Sequence, residues 1–213
     1  MKIGVLGSGD VGKALAAGFL THGHEVMIGT RSADKLADFQ AQHAAARVGN
    51  FAETAAFGEV VVLAVKGTVA LQAVALAGAA NLTGKVVLDA TNPIADLPPE
   101  GGVLRFFTAE GESLLERLQH DMPTARFVKT FSCVGSAFMV NPTFPGGPPT
   151  MFICGDDEGA KAVARGILDQ FGWETADMGG ATSARAIEPL CQLWCLPGFL
   201  RNQWTHAFKL LRL

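Results

Sequence analysis

Short apolar runs bounded by glycine alternate along the chain with longer stretches whose apolar residues recur at helical spacing. Lys2–Leu6 is apolar at consecutive positions, the mark of a strand buried on both faces. Residues 11–22 predict a helix with Ala14, Leu15, Gly18 and Phe19 on one face. Gly23 supplies its C-cap, and His22 and His24 flank that cap as exposed polar residues. Glu25–Gly29 is the second strand, and Ser32 is placed to cap a helix reaching about residue 46, with Leu36 and Phe39 inward. A brief strand at Arg47–Gly49, a short helix over 50–57 and the clearest strand of the chain, 59–65, follow. An alanine-rich helix over 68–78 leads to a strand over 85–89 and a Pro/Gly-rich loop over 94–102. Beyond it the pattern predicts a helix over 113–120, a strand over 125–131, a loop over 141–149, a strand over 150–154, a helix over 157–171 and a strand over 173–177. Residues 183–213 predict helix, interrupted near Pro197-Gly198.

Strands that alternate with helices imply parallel pairing through right-handed crossovers. The expected fold is α/β: a Rossmann-like, doubly wound, mainly parallel sheet with a C-terminal helical extension. Neither an internal repeat nor a low-complexity linker divides the chain. It reads as one domain over 1–213, in which 146–213 extends the sheet and adds a helical cap.

Composition changes this picture little but excludes several classes. The net charge is -3 with no long basic run, which argues against a nucleic-acid partner. No segment approaches the roughly 20 continuous apolar residues of a membrane span, and the apolar run Ile3 to Leu6 is too short for a signal peptide. The expected location is cytoplasmic. Of four cysteines, Cys191 and Cys195 are four apart and share a helical face. That spacing admits a metal, but a pair of buried free thiols is the expectation, and no metal site is assigned. The chain has no tyrosine.

The chemistry concentrates at the start. Gly7-Ser8-Gly9-Asp10-Val11-Gly12 lies between a buried strand and an amphipathic helix, the context that makes a GxGxxG pattern informative. Gly7 permits the tight turn, Gly9 lets backbone approach a pyrophosphate, and Gly12 allows close helix packing. The helix N-terminus directs free N–H groups at the phosphates. At the end of the second strand an NAD site usually carries Asp or Glu; here Thr30-Arg31-Ser32 stands instead, with Lys35 one turn on. A guanidinium beside hydroxyls suits a 2′-phosphate, so the expected cofactor is NADP(H). Ligands of open parallel sheets sit beyond the carboxyl ends of the strands. That rule nominates Ala64, Val65 and Lys66, then Thr91, Asn92 and Pro93, then residues 131–135, to ring the nicotinamide. Lys66 stands open between a phosphate or ribose contact and a solvated side chain, and Asn92 between a contact and a turn.

These residues resemble the F420-dependent NADP oxidoreductases and related NADPH-dependent dinucleotide-binding reductases. The resemblance runs through Ile3 to Gly12, Gly29 to Ser32, Asp89 to Pro93, Gly180, Ala184-Arg185, Glu188-Pro189 and Ala207 to Leu211. It departs at Phe131-Ser132-Cys133, where many relatives have Phe-Asn. It implies nucleotide contacts from Ser8, Gly9, Asp10, Val11, Thr30, Arg31, Ser32 and Lys35. It implies hydride exchange between NADPH and a small-molecule redox partner, coenzyme F420 or a flavin, whose ring lies against the nicotinamide. Transfer between stacked cofactors needs alignment and exclusion of water more than an acid. No catalytic residue is assigned; His206, Lys66 and Lys129 are the available proton donors. An NADPH-binding redox sensor without turnover, or a reductase of a small carbonyl or imine, are the alternatives. The apolar C-terminal segment, with Leu193, Trp194, Phe199 and Leu200, either packs within its own subunit or forms the two-fold interface of a homodimer.

Overall fold

The computed structural model describes residues 1–213. Six parallel strands form the main sheet: β1 (Lys2–Leu6), β2 (Glu25–Gly29), β3 (Arg47–Gly49), β4 (Val60–Leu63), β5 (Val86–Asp89) and β6 (Arg126–Lys129). Their spatial order is β3-β2-β1-β4-β5-β6, so the winding reverses between β1 and β4. That reversal opens a crevice at the carboxyl ends, where this class of sheet binds its ligands. Every residue of β4 and β5 is buried, as strands covered by helices on both faces require.

Helices close the two faces. On one, α1 (Asp10–Thr21) and α7 (Glu158–Gln170) bring Leu15, Phe19 and Ile167 onto Ile3, Val5, Val62 and Leu88. Phe19 meets Phe171 with ring centroids 4.9 Å apart. On the other, α3 (Phe51–Phe57), α4 (Ala70–Ala77) and α6 (Leu114–Asp121) set Ala55, Val74, Leu115 and Leu118 against Leu6, Val61, Leu63 and Val87. Capping sets two of these starts. The Asn50 side chain accepts from Glu53 N at 2.9 Å while Glu53 accepts from Asn50 N at 2.8 Å, a reciprocal box. The Ser113 hydroxyl caps α6 through Glu116 N.

Between β2 and β3 the expected single helix is instead a 3-10 turn over Ala33–Leu36 followed by α2 (Ala37–Gln42). Ser32 makes no side-chain cap; its N–H donates to Thr30 Oγ1 at 3.1 Å. The alanine-rich helix expected over 68–78 is present as a 3-10 turn over Gly67–Val69 and α4, ends at Gly78 with φ 87°, and is followed by a short α5 (Ala79–Leu82).

The C-terminal part contains its own two-stranded parallel sheet, β7 (Thr150–Ile153) and β8 (Glu174–Asp177). One antiparallel bridge, Lys129 to Cys154, joins it to the β6 edge. Helices α8 (Ala184–Ile187) and α9 (Pro189–Arg201) complete the cap. The expected long helix over 183–213 is therefore corrected. The chain runs helically through Pro197, stops at Asn202 in the left-handed region (φ 53°), and finishes as a non-helical strap. A Cβ on Gly198 would lie 2.3 Å from Trp204, so this glycine gives clearance for a returning indole rather than a break. The strap then pairs with β7: Thr150 N donates to Phe208 O at 2.8 Å and Leu210 N to Thr150 Oγ1 at 3.0 Å. No helix is long and apolar enough to cross a membrane.

Candidate functional site

The glycine turn is built by sterics. Gly7 has φ 130°, and a Cβ there would stand 2.2 Å from Ala64 O, so the turn lies flush on the β4 exit. A Cβ on Gly12 would stand 2.1 Å from Gly7 O, which seats the first turn of α1 on the glycine turn itself. A Cβ on Gly9 would meet nothing within 4 Å. The space outside Gly9 is open, as backbone approach by a ligand needs. No side chain caps α1, so its first-turn N–H groups have no side-chain acceptor of their own.

Two cavities flank the β4 exit. The first, of about 280 Å³, is lined by Gly7, Ser8, Gly9, Thr30, Arg31, Ser32, Lys35, Ala64, Val65 and Lys66, with Phe51, Val69, Gln72, Ala73 and Leu76 opposite. The second, of about 620 Å³, is lined by Val11, Val65, Lys66, Gly67, Ala90, Thr91 and Asn92 and by Ile94 to Leu97. Val65 and Lys66 belong to both. Asp10, Gly12 and Pro93 line neither: Asp10 is exposed in the first turn of α1, Gly12 is buried beneath the glycine turn, and Pro93 is buried.

At the β2 tip the Thr30 hydroxyl is an internal brace. It donates to Ser32 O at 3.0 Å, accepts from Ser32 N, and lies 3.0 Å from Ser8 Oγ. This ties the glycine turn to the β2 exit and leaves Arg31, Ser32 and Lys35 exposed around the mouth. Neither Arg31 nor Lys35 enters an ion pair.

At the seam between the cavities Lys66 Nζ meets Asp96 at 3.2 Å, and Thr68 Oγ1 donates to the other Asp96 oxygen at 3.1 Å. The hydrogen bonds from Lys66 and Thr68 hold the Asp96 carboxyl below its ordinary range. On the floor of the second cavity Asn92 Nδ2 donates to Ser132 O at 2.7 Å, while its buried Oδ1 has no protein partner. A Cβ on Gly67 would stand 1.9 Å from Asn92 O, so this stretch is clamped from the side as well.

Residues 131–135 do not line the cavity they were expected to ring. Phe131 (φ 57°), Ser132, Cys133 and Val134 are buried behind it, and Trp194 covers Gly135. The loop supports the floor through Ser132 instead. Lys129 is not an accessible proton donor: it is fully buried among Asp89, Thr91 and Glu188. His206 lies on the strap rather than on a helix, stacked on Trp194 with its Nε2 2.9 Å from Trp194 O. The cysteines are free. Burial pushes the Cys133 thiol up to about 12. Hydrogen bonding between Cys191 and Cys195 raises the former and lowers the latter.

The Gln72 and Leu76 wall was missed because residues on a helix after β4 carry no motif. The 94–97 wall comes from the Pro/Gly-rich loop over 94–102, in which no residue carries a motif of its own. Here it folds as a flap, bridged Ile94 to Phe106 and Glu100 to Val103, and pinned to α9 by Gln192 Nε2 on Leu104 O at 2.7 Å.

Similarity to known proteins follows the same outline. Residues 2–93 match the family model described as NADP oxidoreductase, coenzyme F420-dependent. The crystal structure of a candidate F420-dependent NADP-reductase from Arthrobacter sp. FB24 superposes with TM-score 0.93 and 33% identity, over 100% of both chains. The rat metalloreductase STEAP3 is 29% identical over 93% of this chain, which spans 39% of that protein's length. An imine reductase of Streptomyces aurantiacus shares the fold at 18% identity and TM-score 0.67, covering 94% of this chain and 63% of its own. The F420-dependent NADP reductase of Methanothermobacter marburgensis is 31% identical over 91% of this chain and 90% of its own length. With the glycine turn, the basic β2 tip and the sheet order that such a nucleotide site needs, these matches place the chain in the F420-dependent NADP oxidoreductase family, a family of NADP-dependent oxidoreductases.

Proposed function

We propose that the protein transfers a hydride between NADPH and a planar redox partner, coenzyme F420 or a flavin, held beside the nicotinamide. The observation that carries this reading is the pair of cavities sharing Val65 and Lys66. One end has the open glycine turn with Arg31 and Lys35 for a 2′-phosphorylated adenosine, and the other is a larger chamber with apolar walls. An extended dinucleotide laid over the β4 exit puts its phosphates at Gly9 and its nicotinamide at Val11, Ala90 and Asn92. The bound cofactor supplies the hydride. The chain's own residues grip the phosphates, hold the ring against the Thr91-Asn92 floor, and keep water out with the 94–97 flap.

Asn92 suits the ring's carboxamide. Its NH₂ is committed to Ser132 O, so the oxygen left without a partner accepts, and a primary amide donates. The hydride leaves a negative charge on the acceptor ring, and solvent can supply the proton that neutralises it after transfer, so no buried proton donor is required of the protein. The reading is tested by anaerobic NADPH oxidation against F420, FMN, FAD and a panel of carbonyls and imines. Turnover of one of the three ring systems, with none of the panel, is expected. Robust carbonyl or imine reduction without any of the rings contradicts it.

A further inference from the structure

Beneath the Thr91-Asn92 floor lies a cluster of ionised groups that the reading above does not use. Lys129 Nζ is 2.6 Å from Asp89 Oδ2, 2.9 Å from Glu188 Oε1 and 2.8 Å from Thr91 O. Asp89 and Lys129 are 0% exposed and Glu188 1%. Asp89 Oδ1 accepts from Thr91 N at 2.9 Å and Thr91 Oγ1 at 2.6 Å. Glu188 Oε2 and Oε1 accept from Leu114 N and Leu115 N at 3.0 and 3.1 Å.

Every contact to the two carboxyl groups comes from a donor, the pattern of carboxylates rather than acids. The cluster therefore holds two negative charges and one positive charge, out of water. The N-terminal end of α6 offsets part of the excess, as a helix terminus carries about half a positive charge. The remainder is negative. Thr91 lines the chamber, and all three of its polar groups are bound to the cluster.

We infer that Asp89, Lys129 and Glu188 form an electrostatic positioning element whose net negative charge favours the oxidised nicotinamide over the reduced one. The inference rests on the reading that the nicotinamide occupies this chamber. The chemistry gives it direction. When the C4–H bond breaks, hydrogen leaves with both electrons for the acceptor ring, and the neutral dihydronicotinamide becomes a cation. A fixed negative charge beneath the ring stabilises that developing cation, so the site is biased toward giving hydride away. The charge is buried, so salt screens it little. Glu188 belongs to the C-terminal cap, which through this one carboxylate bears on the nicotinamide chamber.

The test is the ratio of dissociation constants for NADP⁺ and NADPH in wild type, Glu188→Gln and Glu188→Asp, at low and high salt. Removing a unit charge at a separation on the order of 10 Å and an effective dielectric of about 20 is expected to weaken NADP⁺ relative to NADPH by about an order of magnitude. Glu188→Asp keeps the charge and is expected to keep the ratio. If Glu188→Gln does not fold, Asp89→Asn removes the same charge from the sheet side and is expected to shift the ratio in the same direction. An unchanged ratio in the neutralised variant overturns the inference. So does an equal shift in Glu188→Asp, which would make the effect one of shape. The fluorescence of NADPH bound to wild type separates this from the reading beneath it. A ring that emits as in water does not occupy the chamber, and both then fail; an emission change with an unmoved ratio overturns the inference alone.

Discussion

Arg31 stands exposed at the tip of β2 with no carboxylate to pair with, beside a cavity lined by the glycine turn. A guanidinium so placed gains most from a dianionic phosphate and little from a ribose hydroxyl. Arg31→Ala is expected to weaken NADPH by about tenfold or more while leaving NADH within about twofold, measured as paired dissociation constants. An unchanged NADPH-to-NADH ratio contradicts the assignment. At this scale the glycine turn was legible in sequence, because two of its glycines answer local steric demands. Gly7 must hold φ 130°, and Gly12 must clear the Gly7 carbonyl. Thr30 was legible in place but not in role, since its hydroxyl serves Ser8 and Ser32. Lys129 was not legible. Nothing local to it announces that Asp89 and Glu188, from distant parts of the chain, converge on its ammonium.

Among the elements, strands bounded by glycine were readable because continuous burial leaves continuous apolar runs. The C-terminal helix was misread because Pro-Gly is a strong local punctuator, yet tertiary packing outweighs it. Gly198 lies under Trp204, which also packs edge-on against Phe199 at 5.2 Å. A glycine-to-alanine change inside a helix ordinarily stabilises. Gly198→Ala is expected to do the reverse, costing about 1–3 kcal/mol in chemical denaturation as the strap is displaced; a gain in stability contradicts this packing role. A second element-level prediction concerns acid. Arg185 of α8 hydrogen-bonds Glu116 of α6 at 2.6 and 2.9 Å, and these bonds hold the Glu116 carboxyl below the ordinary glutamate range. A carboxylate depressed on folding stabilises fully above its unfolded value and loses that contribution as pH falls through the folded one. Melting temperature should therefore decline below about pH 4.5, and Glu116→Gln should flatten the decline. Equal slopes in wild type and variant rule this pair out as a source.

For the whole molecule, α9 leaves Leu193, Phe199 and Leu200 at 54%, 43% and 52% exposure, an exposed apolar face on the cap. We expect this face to be buried in a two-fold dimer. Light scattering at micromolar concentration should give twice the chain mass, and Leu193→Asp with Leu200→Asp should give the monomer; a monomeric wild type contradicts the interface. The parallel sheet, the glycine turn at its switch point and the flap over the second cavity support the act proposed above, passing a hydride from NADPH to a neighbouring ring. The most direct test is an anaerobic single turnover with NADPH carrying deuterium at the transferred C4 position, mixed with F420, FMN or FAD. The account predicts reduction of a ring at a rate slowed by deuterium, with the label retained on carbon where the acceptor is the deazaflavin. Saturated NADPH that stays reduced in the presence of all three rings would contradict it.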